Sequence, residues 1–357
     1  MMGAWAAFAD RLLGRGDAAV TVPPFDGALK PNQYLEEAEV FAEADDGADL
    51  ASDGRDLYVA QGSRVVRHQN GAASEIARFD ARVTALCALP GDGFAVALDG
   101  KRVRVVGTAH DGREWSGFNA VNAIAPGANG ALLVTDGSRS YDCEQWAHDL
   151  MTAGATGRLL ELPAGEGAPR ELADGRAFAF GACLASAGEV WLCESWRHRI
   201  VRVGGQVVLD ALPCYPSRIV AASGGGFWLT AFVARTQLVE FVLREKAYRE
   251  RMIREVDPRF WIAPKLRSGE TFLEPMQGAH IKTMGVLKPW APPVSYGLVI
   301  RLGPDGQPLY SLHSRAGGRH HGVTAAVEVD GWLYVLSRGA GRILRLPLAK
   351  IDAELRS

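Results

Sequence analysis

The sequence has no run of about 18 apolar residues, so no segment reads as a helix that spans a bilayer. Cysteine is scarce: there are five, an odd number, and no CxxC pair. That speaks against a disulfide framework and against a structural zinc site. Cys87, Cys183 and Cys193 sit in apolar, strand-like runs, where a thiol serves as a small buried hydrophobe. An excess of one charge is missing too. The formal net charge is -2, so no bulk field gathers nucleic acid or an anionic membrane. GxSxG, GxGxxG with a following helix, a P-loop and HExxH do not occur, which leaves no common nucleophile, dinucleotide, nucleotide or zincin motif. The opening MMGAWAAFADRLLGRGD has some features of a signal peptide, but Asp10 and Arg11 interrupt it and the basic leading region is lacking. Residues 1–26 read as an N-terminal helical extension, and a cytoplasmic location is expected.

What the chain does have is a repeat. Its 357 residues, 48% apolar and 22% charged, suit one large all-β domain. Six times a small turn ending in Gly precedes a run of Val, Leu, Tyr, Trp and Phe. A second run of Val, Ile, Leu and Arg usually follows. Examples are SDGRDLYVAQGSRVVRH from Ser52, SAGEVWLCESWRHRIVRV from Ser186 and VDGWLYVLSRGAGRILRL from Val329. Gly supplies the turn, and β-branched and aromatic residues suit a half-buried pleated surface. One such sheet cannot cover its own faces, whereas six set radially cover one another. The expected fold is an all-β, six-bladed β-propeller over residues 27–357, with the segment from about Tyr34 to Phe41 closing the ring as an outer strand.

Two repeats are interrupted. RSYDCEQWAHDLMTAGAT, about 139–156, reads as a helix containing Trp146, Leu150 and Met151. The second insertion, about 233–295, starts with RTQLVEFVLREKAYRERMIREVD, which reads as one amphipathic helix stopping before Pro258. Its remainder is rich in Pro, Trp and Met and reads as a lid. Both insertions are expected on one face as a cap, because long ordered loops on a rigid scaffold are where binding concentrates.

Several segments resemble a known family. ALPCYPSRIVAASGGGFWLTAF from Ala211 and YGLVIRLGPDGQPLYSLHSRAGGRHHGVTAAVEVDGWLYVLSRGAGRILRL from Tyr296 resemble the fifth and sixth blades of strictosidine synthase-like proteins. ACLASAGEVWLCESWRHRIVRV from Ala182 resembles their fourth. These proteins group with the senescence-marker-like lactonases (gluconolactonase type) and the paraoxonases. The resemblance implies that one residue per blade, at the start of the innermost strand, faces the central channel. In the lactonases several of these hold a catalytic calcium. Counting back from each turn Gly gives Ala48, Thr84, Asn122, Phe180, Ser217 with Arg218, and Thr324. Only Asn122 matches a ligand of the family. The ring as counted has no carboxylate, though Asp49 stands one residue away, and Arg218 opposes a divalent cation. No metal is therefore expected on the axis, and no cofactor. The Glu that strictosidine synthases use at the sixth blade is also missing from Arg319–Thr324.

The resemblance leaves a pocket where the inner strands begin. Its expected catalytic residues are His321 as general base, Arg218 as anion holder and Asn122. Thr84, Phe180, Thr324, Tyr141, Trp146, His320 and Trp290 are expected to bind substrate. Asp142, Lys282 and Lys288 are further candidates around the entrance, and Glu194 reads as structural. The expected ligand is a small, partly apolar organic molecule. Three functions follow: a metal-independent acid–base enzyme of lyase, synthase or hydrolase type; a calcium-dependent lactonase or esterase; and a non-catalytic ligand-binding propeller.

Overall fold

The computed structural model describes residues 21–185, 188–267, 274, 282–283, 286–287, 295–316 and 318–355. Most of the helical reading of residues 1–26 lies outside them, as do Lys288 and Trp290.

Six four-stranded antiparallel sheets surround a channel. Their inner strands are Gly47–Ser52, Val83–Leu89, Val121–Pro126, Ala179–Leu184, Cys214–Ala221 and Val323–Val329, which define blades one to six. Strands in blades one to four follow one another outward in chain order. Blade six is closed by the N-terminal strand Glu39–Glu43, which pairs antiparallel with Arg342–Pro347 and sets Glu39 opposite Arg345. Closure thus comes from an outer strand, as expected, but begins at Glu39 rather than Tyr34. Residues before it are held elsewhere. Leu35 is fully buried and its N–H donates to the carbonyl of His313, while Glu36 accepts from Ser314 and Arg319.

The core lies between blades rather than on the axis. Between blades four and five, Trp191, Cys193, Ile200, Leu229, Leu298 and Ile300 interdigitate. Each fully buried aliphatic side chain there contributes roughly 1.5–3 kcal/mol of transfer energy. This explains the repeat's chemistry, since every sheet needs a neighbour on both faces.

The described parts of the insertions form one cap; most of the segment read as a lid lies outside the described residues. Helix α1, Trp146–Met151, rises from blade three; α2, Gln237–Arg244, and α3, Lys246–Glu255, rise from blade five. Leu150, Met151, Val242, Met252 and Trp261 pack into one cluster with Phe178, Phe180 and Phe232. The single helix expected over 235–257 is two. Glu245 breaks it with φ -77° and ψ 77°. The break has a packing reason: Val239, Val242 and Met252 are all buried, and the turn at Glu245 brings the sparse apolar residues of α3 back to the cap. Thr236 caps α2 by accepting from the Val239 N–H.

Candidate functional site

Every inner strand starts with an irregularity. The register against its neighbour shifts between Gly47 and Asp49, Val83 and Ala85, Val121 and Ala123, Ala179 and Ala182, Pro216 and Ile219, and Val323 and Ala325. A bulge leaves a residue out of the ladder and re-aims its side chain. The skipped residues include Ala48, Thr84, Asn122, Phe180, Arg218 and Thr324, and these six converge on one pocket. The counted ring is therefore the observed one.

Arg218 is at the centre of it. Its Nη1 donates to the Thr324 carbonyl at 3.0 Å, and Nη2 donates to the carbonyls of Thr84, at 3.2 Å, and Asn122. Its Nε lies 3.0 Å from Asp49 Oδ1, and its Cζ sits 5.2 Å from the centre of the Phe180 ring. One guanidinium thus touches all six blades. Gly181 makes room for it. Its φ is +92°, and a Cβ there would lie 2.6 Å from both the Ser217 carbonyl oxygen and Arg218 Cα. Only glycine meets both demands.

The ring carries no carboxylate, but one stands directly beside it. The first bulge turns Ala48 toward the pocket and sets Asp49 beneath it, where it is 1% exposed. Asp49 accepts from the N–H groups of Leu50 and Leu86 at 2.8 and 2.9 Å. Burial pushes its carboxyl up to about 6, against the pull of Arg218.

These residues do not fit a calcium ion. Calcium takes six to eight oxygens, carboxylates among them. Here three axial carbonyls and the nearby carboxylate already surround a cation that cannot lose its proton. The side-chain oxygen of Asn122 accepts from Thr135 Oγ1 at 2.7 Å, and its Nδ2 donates to the Ala179 carbonyl at 2.9 Å. Arg218 likewise gives three hydrogen bonds and an ion pair to the protein, which makes it an axial brace as well as the expected anion holder.

His321 is not brought into the pocket. Its Nδ1 meets Ser295 Oγ and its Nε2 meets the Arg315 carbonyl at 3.0 Å, so both ring nitrogens are occupied. Burial pushes its pKa down. The general-base expectation falls on geometry. His320 also lies off the pocket and is 2% exposed. Tyr141 is off it too; its ring stacks on His148 at 5.9 Å. Trp146 does line the pocket. Asp142 caps the turn Cys143–Gln145, and Glu194 is a buried partner of Arg199 at 2.6 Å.

The sequence reading missed Arg82, Cys143, Glu144, Phe178, Phe232, Leu266 and Arg338, which complete the lining among the described residues. Most lie outside the inner strands, so counting to those strands did not reach them. Arg82 and Phe178 were within reach, two residues before Thr84 and Phe180. At the rim Arg338 Nη2 donates to Glu144 Oε1 at 2.8 Å, and Arg82 Nη1 stands 3.7 Å from the same oxygen. Burial pushes the Cys143 thiol up to about 12, which leaves it a poor nucleophile. About 540 Å³ of empty space lies among these side chains, open at the mouth. The channel's other end is wider, about 1230 Å³, and is lined by Leu50, Leu86, Ile124, Leu184, Val220 and Val327 among others. Its carboxylate, Glu328, is already held by Ser223 and Trp228. Convergent polar groups on an apolar wall make the capped end the candidate site.

No family model matches the chain. Curated relatives do. The chain is 26% identical over 265 residues to "Protein STRICTOSIDINE SYNTHASE-LIKE 6" of Arabidopsis thaliana, covering 72% of this chain and 62% of that protein. It is 27% identical over 369 residues to the adipocyte plasma membrane-associated protein of Bos taurus, covering 91% and 82%. These are distant homologues. A gluconolactonase from Xanthomonas campestris superposes with a TM-score of 0.51 at 12% identity, over 86% of this chain and 88% of that one. That likeness is one of fold. The strictosidine synthase-like homologue agrees with the resemblance read from blades four to six.

Proposed function

We propose that the capped pocket binds a small, partly apolar organic molecule and acts on it by acid–base chemistry without a catalytic metal, as a synthase, lyase or hydrolase. The observation that carries this is the Arg218 guanidinium, held at the convergence of the six inner strands by three axial carbonyls and Asp49. The name of the strictosidine synthase-like relative favours the synthase branch.

Within this reading Glu144 handles the proton, as the carboxylate of the described lining, and Arg338 orients it. Thr324 Oγ1 is buried, has no hydrogen-bond partner among the described residues, and is free to donate to a substrate oxygen. Trp146, Phe178, Phe180 and Phe232 form the apolar wall. A positioned general acid or base is worth roughly 10²–10⁴ in rate.

One observation favours the non-catalytic reading: His321 spends both ring nitrogens, and Arg218 three of its N–H groups, on the protein. A panel of lactones, aryl esters and amine–aldehyde pairs, run with and without chelator, separates the alternatives. Turnover that survives chelation and falls by roughly 10²-fold or more in Glu144→Gln is expected. Turnover abolished by chelator favours the calcium hydrolase. A ligand that raises the melting temperature with no turnover of any panel member favours the binder.

A further inference from the structure

The pocket is divided. Blades six and two supply Thr324, Arg338, Arg82 and Thr84, all polar. Blades four and five and α1 supply the aromatic wall, where ring centres follow one another at 6.0 Å from Phe178 to Phe180, 5.9 Å from Phe180 to Phe232 and 5.5 Å from Phe232 to Trp146. The polar side is rich in donors. Arg82 and Arg338 share one carboxylate, Glu144, and Arg82 also stands 3.4 Å from Asp46. Each guanidinium has five N–H groups, so donors remain on both. Thr324, 2% exposed, lines the same region, and its hydroxyl has no hydrogen-bond partner among the described residues. A buried hydroxyl without a partner costs about 1–3 kcal/mol, so a ligand oxygen there would be strongly favoured.

We infer that the ligand is a small acid with one flat apolar ring: its ring lies on the phenylalanine wall and its carboxylate faces Thr324, Arg338 and Arg82. This rests on the pocket reading above and adds a charge and a direction to it.

The test uses four single-ring probes on the intact protein: benzoate, phenylacetate, benzamide and 2-phenylethylamine, with dissociation constants from calorimetry at low and high salt. At least one acid should bind about tenfold more tightly than the amide and the amine, the scale of one charge-assisted hydrogen bond. Arg338→Gln, and separately Arg82→Gln in case either variant folds poorly, should remove most of that preference by weakening the acids several-fold more than benzamide. Phe180→Leu should weaken all probes that bind. Equal affinity for acids and benzamide, with the Phe180→Leu effect intact, overturns the charge assignment and leaves the pocket standing. Tightest binding of the amine also overturns it. If no probe binds, or if binding ignores Phe180→Leu, the acid inference and the pocket reading fall together.

Discussion

Asp49→Ala is expected to destabilise the propeller by about 3–5 kcal/mol, because it leaves Arg218 as a buried charge without its partner. The pair sits where the six inner strands meet, with Asp49 1% and Arg218 7% exposed. Water cannot replace the lost carboxylate there without opening the axis. The remaining carbonyls of Thr84, Asn122 and Thr324 solvate the guanidinium but carry no net charge. Removing both charges should be milder than removing one, since apolar replacement of a whole buried pair is often close to neutral. The double variant Asp49→Ala/Arg218→Leu is thus expected to recover a large part of the loss. Urea unfolding gives the comparison directly, provided the slopes agree. A single Asp49→Ala within about 1 kcal/mol of wild type would show that the pair is not held as described.

The second large effect is on the cap and depends on pH. Glu240 of α2 lies against blade five, where it accepts from Tyr215 Oη at 2.7 Å and from Arg235 Nη2 at 3.1 Å, with His198 Nε2 at 3.5 Å. Burial alone would push its carboxyl up, but His198 and Arg235 outweigh it and hold the carboxyl at about 2, below the usual 4.5. A carboxyl whose folded value is depressed stabilises the fold while ionised. The contribution is therefore complete above pH 4.5 and is lost as pH falls toward 2. The drop from 4.5 to about 2 corresponds to about 3 kcal/mol. Glu36, also held at about 2, adds an acid limb of its own. The difference between wild type and Glu240→Gln isolates Glu240. That difference should be about 3 kcal/mol at neutral pH and shrink to little near pH 2. Parallel stability curves across the range would contradict the assignment.

Much of this architecture was legible because a propeller repeats. The turn glycines and the Val/Leu/aromatic runs mark the same sheet six times, and the residue counted back from each turn proved to be the one skipped by the bulge, from Ala48 to Thr324. The α1 helix was legible from Trp146, Leu150 and Met151. Two things were not. The pairing of Asp49 with Arg218 did not follow from its place one residue off the ring, because a bulge puts neighbours Ala48 and Asp49 to different uses and no periodicity reveals it. His321 looked exposed and reactive next to His320, and only the three-dimensional return of Ser295 and Arg315 shows it occupied. The rim residues Glu144 and Arg338 escaped for a related reason. They lie 194 positions apart in sequence and meet only when blade six closes against the cap.

A guanidinium, rather than a metal, occupies the axis of this propeller. Calcium titration of chelator-treated protein, followed by calorimetry and melting temperature, tests it most directly. No stoichiometric binding at the axis is expected, and calcium should leave the melting temperature unchanged. One calcium per chain that raises the melting temperature, and that is lost in Asn122→Ala, would contradict it.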